Sequence, residues 1–423
     1  MSVNHYDGQQ VFFRSSSLCY FVYYSYLCRQ YKRDMKICFL TARFPFPQYG
    51  GGALRINEIA RYLKSQGHEL VLVSLLDYPT PALEEASRIY DRIYYTKRNA
   101  KTSYLHCVMN VFKMKPMQCG YYYSNDYRKL LKNVIFQEKP DLFIPHILRM
   151  VPYIEELRLE KRSIVEMTDA LSKSYAQSIH AKGVGFKKII FYLEHFLIRR
   201  YEKHVIRRFP KIILVSQADV DYLQTLDSTI PTNNLYVHAN GVKSMDVVPG
   251  KYDSNKICFI GSMNYLPNQD AVSYIVKEIF PIIKKRVPTA KLHIVGSLPP
   301  PNIQALASGD VIVTGFVQDL EVYIADSCLA LAPIRVASGI QNKVLISMGC
   351  GLPVVLTSLI AKAIPELEDG INSIIRDDAT DIADECVRLI QNKELREMIS
   401  RNGYEMVCRH YSWKEKLSGY EVL

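Results

Sequence analysis

The sequence predicts an α/β protein made of two similar halves, each organised around a parallel sheet. Short apolar runs alternate with stretches of helical period from Lys36 onward. The chain also repeats its own opening. Lys36-Ile37-Cys38-Phe39-Leu40-Thr41 returns as Lys256-Ile257-Cys258-Phe259-Ile260-Gly261, each followed by a loop, a helix and a second strand. The 423 residues, 48% of them hydrophobic, agree with two or three domains with cores of their own.

Residues 1–34 read differently from the rest. Leu18 to Tyr24 is an apolar aromatic run flanked by Arg14, Arg29, Lys32 and Arg33. It is too short to span a bilayer, and no small-residue cleavage site follows it. Met35-Lys36 leads straight into a strand, so residues 1–34 are expected to be an extension outside the fold, with an interfacial anchor as the alternative.

The elements then follow in order. Ile37 to Thr41 is a strand, and a turn runs through Pro45, Pro47 and Gly50-Gly51-Gly52. Leu54 to Gln66 has apolar residues at helical spacing, closed by Gly67. Leu70 to Leu76, Asp141 to Ile144, Ser163 to Met167 and Lys211 to Val215 are further strands. Asn-Gly and Pro-Gly interrupt the pattern between Asn240 and Asn255, which puts a first domain at 35–240 and a second at 241–423. In sheets of this kind ligands bind beyond the carboxyl ends of the strands, so two facing halves create a cleft.

The charge balance, 53 Lys+Arg against 42 Asp+Glu, leaves +11 and favours an anionic partner. A nucleotide, a phosphorylated lipid, an acidic membrane surface and a nucleic acid all qualify. Nucleic acid is set aside because no recognisable binding module is present. The ten cysteines stand singly without CxxC spacing, which argues against zinc and for a reducing cytoplasm. From Lys182 to Lys211 basic residues mix with Phe186, Phe191, Tyr192 and Phe196. That mixture suits docking on an anionic membrane, or a core-facing helix with a solvated basic face.

Gly51 and Gly52 lie between a strand and a helix, where backbone N–H groups favour an anion and glycine lets a phosphate approach. A dinucleotide fingerprint would need a third glycine where Arg55 stands, so no cofactor is expected there. Asp219-Val220-Asp221 is the only D-x-D, and it opens a helix where acids suit the dipole, so no metal site is expected.

Met35 to Asp77, with its strand, glycine loop, helix and Gly67-His68-Glu69-Leu70, resembles the opening of family 4 glycosyltransferases. The second half is similar to a bacterial subgroup serving exopolysaccharide pathways. The motifs are Phe259-Ile260-Gly261-Ser262-Met263-Asn264-Tyr265-Leu266-Pro267-Asn268, Leu292-His293-Ile294-Val295-Gly296, and Gly339-Ile340-Gln341-Asn342-Lys343-Val344-Leu345. Gly351-Leu352-Pro353 and Tyr411-Ser412-Trp413 fit as well, so the likeness covers nearly all of 35–423.

That resemblance implies the GT-B fold, two Rossmann-like domains facing across a cleft, with a final helix packing back on the first. It implies metal-free transfer of a sugar from a nucleotide-diphosphate donor, with retention, to a glycan or lipid-linked acceptor in cell-surface polysaccharide assembly. The expected place is the cytoplasm or the inner face of the membrane. On the donor side it assigns Gly51, Gly52, Gly261, Ser262, Arg335, Gly339, Lys343 and the position of Ile346, with Lys343 and Arg335 as cations for the diphosphate. Alternatively, Arg335 pairs with a carboxylate and Lys343 is a surface residue. His146, just past a strand end, is expected to face the donor sugar, and Asp169 either to bind an acceptor hydroxyl or to cap a helix. Arg149 is expected to meet a phosphorylated acceptor.

Two departures stand out. The Arg and Lys that other members place after the strand ending at Gly261 are missing, with Ser262 there instead. Related sequences read Asn-Lys-(Val/Ile)-Leu-Glu, with the glutamate taken to bind ribose, whereas this chain has Ile346; the companion acid falls on Ser338. A catalytically degenerate binding subunit therefore stays as a rival reading, and so does a UDP-sugar epimerase of the same fold.

Overall fold

The computed structural model describes residues 34–46, 51–76, 82–181, 186–227, 229–243, 245, 252–263, 265–335 and 340–420. They divide into two compact units, one taking the chain up to Ile213 with Asp221–Tyr236, the other Leu214–Val220 with Val237 onward.

The first unit holds β1 (Lys36–Thr41), β2 (Glu69–Leu76), β3 (Arg92–Lys97) and β4 (Leu142–Pro145) in a parallel sheet of order β3-β2-β1-β4. A second sheet runs β5 (Ile164–Thr168), β6 (Lys211–Leu214), β7 (Leu235–Val237). Parallel bridges Phe143↔Ser163 and His146↔Glu166 bring β5 against β4. Ile37 through Leu40, Leu70 through Val73 and Phe143-Ile144 are buried, as expected of parallel strands covered on both faces.

The helices used below are α1 (Gly51–Ser65), α2 (Ala100–Phe112), α3 (Met117–Tyr121), α4 (Leu171–Ala181) and α5 (Phe186–Arg208) in that unit, then α6 (Gln217–Leu226). In α1 the residues Ile56, Ile59, Ala60 and Leu63 form the buried stripe. Its end is a Schellman turn: Gly67 takes φ +96°, its N–H donates to Lys64 O, and His68 N–H donates to Leu63 O. Its start differs from expectation, because Gly51 and Gly52 form the first turn instead of a preceding loop. First-turn N–H groups have no intrahelical acceptor, so the weak helix preference of glycine is cheaply accommodated there.

The second unit has one parallel six-stranded sheet, ordered β10 (Val311–Gly315), β9 (Lys291–Val295), β8 (Asp253–Ile260), β11 (Ser327–Ala332), β12 (Val354–Leu356), β13 (Ile374–Ile375). Its helices include α7 (Leu266–Tyr274), α8 (Asn342–Gly349), α9 (Lys393–His410) and α10 (Trp413–Lys416). α9 packs against α8, and Val242 N–H donates to Tyr411 O, holding the last helices to this unit.

The repeat in the sequence is a repeat in pairing. β1 meets β2 from Lys36↔Glu69 onward, and β8 meets β9 from Lys256↔Lys291 onward. Each pairing begins at an anchored lysine, Lys36 with Glu138 and Glu69 at 2.9 and 3.0 Å, Lys256 with Asp326. Cys38 and Cys258 occupy the same third position, and both are fully buried free thiols.

Candidate functional site

In the first unit the carboxyl ends of β4 and β5 and the first turn of α1 meet around His146. Its backbone N–H donates to Leu40 O at 2.9 Å, and the side chain is 8% exposed. A Cβ added at Gly52 would lie 3.5 Å from His146 Cε1, so the glycine turn comes within contact distance of the imidazole. Nε2 is buried and has no hydrogen-bond partner. Burial, with Arg55 and Arg149 nearby, pushes the imidazole down to about 3, so it is neutral at ordinary pH.

Behind it is an ion pair that the strand pattern alone does not reveal. Arg55 Nε donates to Glu166 Oε1 at 2.8 Å, with side-chain exposures of 1% and 0%. Glu166 is bridged in register to His146, and Ile147 N–H donates to Glu166 O at 2.7 Å. The carboxylate placed beside the imidazole is thus Glu166, whereas Asp169 is exposed, beyond Thr168 at φ +69°. Arg149 is turned toward Tyr122, its guanidinium 4.9 Å from that ring and its Nε donating to Gln118 Oε1 at 2.8 Å.

In the second unit the corresponding edge is the end of β8. A Cβ on Gly296 would fall 1.8 Å from Gly261 O, so the chain after β9 runs against the chain after β8 and only glycine fits. Asn268 of α7, 4% exposed, joins this edge to α8. Its Nδ2 donates to Ser262 O at 2.8 Å, and its Oδ1 accepts from Lys343 Nζ. Lys343 is the second residue of α8, 5.0 Å from the Phe259 ring, and among the described residues no carboxylate pairs with it. Burial holds its ammonium down at about 8.

Arg335 does not join Lys343. It forms a two-pronged pair with Asp270, 3.0 and 2.6 Å, and stacks 4.3 Å from the Tyr274 ring. Asp270 and Asn268 are two residues apart on α7, so they point to different sides of the helix and keep the two cations apart. Ile346 is half-buried and packs against the core of this unit. Ser262 is exposed beside Ser297, Oγ to Oγ 3.4 Å. Ser216 caps α6, with Asp219 in its first turn: Ser216 Oγ accepts from Asp219 N–H at 3.2 Å and donates to Asp219 Oδ2 at 2.6 Å. The readings placed on residues 1–33, Gly50, Ser338 and Gly339 lie outside the described residues.

Residues 254–392 match the family model "Glycosyl transferases group 1", and residues 49–244 match "Glycosyltransferase Family 4". The chain belongs to the family 4 glycosyltransferases. Solved glycosyltransferases share its GT-B fold across both units. HepE from Anabaena in complex with UDP is 14% identical, with 91% of this chain and 99% of that chain covered and a TM-score of 0.56. A glycosyltransferase from Rickettsia africae is 14% identical, with coverage of 92% and 97% and a TM-score of 0.58. A variant of TarM from S. aureus, in complex with fondaparinux, alpha-GlcNAc-glycerol and UDP, is 12% identical, with coverage of 91% and 99% and a TM-score of 0.57. No curated protein sequence matches the chain.

The neutral histidine makes a prediction for the glycosyltransferase. A pKa lowered to about 3 in the folded state against about 6.5 unfolded means stability present above pH 6.5 and lost as pH falls toward 3. Urea midpoints measured between pH 7 and pH 4 are expected to fall more steeply for the native chain than for His146→Gln. Parallel declines would show that His146 is not held neutral.

Proposed function

We propose that this glycosyltransferase takes a sugar from a nucleoside-diphosphate sugar and transfers it, with retention at the anomeric carbon and without a metal, to a glycan or lipid-linked acceptor. Cell-surface polysaccharide assembly at the cytoplasmic face of a membrane is the proposed setting. The observation that carries the reading is Lys343, a half-buried ammonium with no carboxylate partner among the described residues, at the start of a helix whose dipole also favours an anion. A leaving diphosphate needs such a fixed positive charge, already desolvated and aimed. UDP in the complexes of HepE and TarM supports a uridine nucleotide for this chain.

His146 complements it. A neutral ring whose buried Nε2 lacks a partner is suited to a sugar hydroxyl, which replaces water without introducing charge. Gly52 leaves the space above the ring open. Arg335, already paired with Asp270, serves the donor by bracing α7, on which Asn268 positions Lys343.

Membrane docking is assigned to the first unit. α2 exposes Leu105, Val108 and Phe112, and the first half of α5 exposes Ile189, Tyr192 and Phe196. Farther along α5, Arg207 and Arg208 pair with Asp227 and Glu160, while Arg200 is exposed. Among the described residues no helix is long and apolar enough to cross a membrane. Co-sedimentation with anionic vesicles and release by salt are expected; binding indifferent to lipid charge would sink this assignment.

Ile346 favours a second reading, a subunit that binds nucleotide without turnover. Its side chain packs against the core at the position where the family resemblance implies a ribose-binding glutamate, and an unpaired ribose hydroxyl costs roughly 1–3 kcal/mol. Incubation with UDP-sugars and detection of released UDP decides between the two, and the anomeric configuration of any product tests retention.

Two calorimetric measurements follow. Lys343→Ala is expected to weaken UDP binding about ten- to a hundredfold, the worth of one charged hydrogen bond. Because its pKa is lowered to about 8, native affinity is full below pH 8, where the ammonium is charged, and declines above it. The variant should lack that decline; an unchanged affinity would remove Lys343 from the donor site. Ile346→Glu is expected to tighten UDP binding about tenfold or more. Equal or weaker binding in a folded variant would show that ribose is held elsewhere.

A further inference from the structure

We propose that Ile147 and Thr168 are positioning residues: each holds its strand end in a strained backbone turn, and between them they fix His146 against the glycine turn of α1. This rests on reading His146 as the residue that meets the donor sugar.

Among the described residues six non-glycine positions have positive φ, and of these only Ile147 and Thr168 carry a β-branched side chain. Lys139 and Arg158 end helices in the left-handed conformation that such ends commonly take. Ile147 has φ +62° and ψ 159°, a combination that glycine alone visits freely. Thr168 has φ +69°, and the N–H of Asp169 donates to Met167 O at 3.0 Å across it. A bond between residues two apart around a positive φ makes the rarer, strained form of γ-turn. Branching at Cβ makes both conformations costly.

The two turns flank one pair. His146 is bridged to Glu166, Ile147 directly follows the histidine, and Thr168 lies two residues beyond the glutamate. Strain of this kind persists only where the surroundings over-determine the chain, and here they do. His146 N–H is bonded to Leu40 O of β1 on one side, and Ile147 N–H to Glu166 O of β5 on the other. Met150 N–H then donates to Ile147 O at 3.1 Å and closes the turn. In β5, Glu166 is fixed by Arg55, and six residues on Ser172 gives its N–H to Glu202 Oε1 at 3.1 Å. Glu202 is fully buried on α5, so the chain is anchored on both sides of Thr168 and the bend falls on that residue.

The fold itself does not need the strain. Glycine would make the same backbone bonds at both places without it, and would leave the strand ends freer to move. A branched residue has a narrow well at positive φ and limits each end to one conformation. What that conformation holds in place is His146, within contact distance of Gly52 and facing the charges of Arg55 and Arg149.

The full-length protein carrying Ile147→Gly or Thr168→Gly should be followed by urea unfolding, by histidine side-chain NMR with His146→Gln marking the His146 signal, and by release of UDP from a panel of UDP-hexoses and UDP-N-acetylhexosamines. Glycine removes more strain than it adds in chain entropy, so both variants are expected to unfold at higher urea than the native chain. His146, which does not titrate between about pH 5 and 8 in the native protein, is expected to titrate within that range in both, because a loosened strand end admits water to the ring. Turnover is expected to fall about tenfold or more, with UDP affinity unchanged because Lys343 and its partners belong to the other unit. Ile147→Val and Thr168→Val keep the branch and are expected to keep the native His146 titration. Glycine variants that are less stable than the native chain, that leave His146 silent, or that turn over undiminished would overturn the proposal. A native chain that binds UDP but releases none from the panel would overturn the transferase reading instead, and the NMR and unfolding results would still decide this one.

Discussion

The edge of the first unit around His146 depends on one buried ion pair. Arg55 and Glu166 are almost wholly removed from water, and such a pair is held only by close geometry. Removing either partner leaves the other charge stranded, at a cost of about 3–5 kcal/mol. The pair joins α1 to β5, so it fixes the distance between the glycine turn and the strand end carrying His146. The Arg55 charge also adds to burial in holding that imidazole neutral. A third glycine at position 55 would have made room for a dinucleotide; the arginine instead makes a rigid, electrically defined wall.

The second unit reaches a comparable edge with a neutral device. Asn268 ties the end of β8 to the start of α8 by one donated and one accepted hydrogen bond. A carboxylate in its place would pair with Lys343 and quench the positive charge that a diphosphate needs. An amide holds the ammonium in position and leaves its charge available, which is why Arg335, with its own carboxylate, is the weaker candidate.

Much of this was legible in the sequence, and the lapses share a cause. The strands around Ile37, Leu70, Ile257 and Lys291 were readable because β-branched and apolar runs buried on both faces leave a local signal. The positions of His146 just past a strand end and of Lys343 at a helix start were readable because the ends of elements in a parallel sheet are marked by local breaks in the apolar pattern. The burial of Glu166 and the exposure of Asp169 were not readable, because Glu166 is held by Arg55, 111 residues away. The bond between Arg335 and Asp270 spans 65 residues and the contact of Lys343 with Asn268 spans 75, distances over which periodicity carries no information. The start of α1 was set too late because glycine reads as a loop unless its N–H groups are known to be unneeded by the helix.

The paired strands β1 and β8 leave the protein with an internal reporter. Cys38 and Cys258 occupy equivalent positions, one in each unit, and burial pushes both thiols up, Cys258 to about 12. A thiol so far from ionising reacts with a modifying reagent only after its own sheet opens. The modification rates of the two cysteines therefore time the opening of each unit separately, and a nucleotide that steadies one half would slow one reaction and leave the other running.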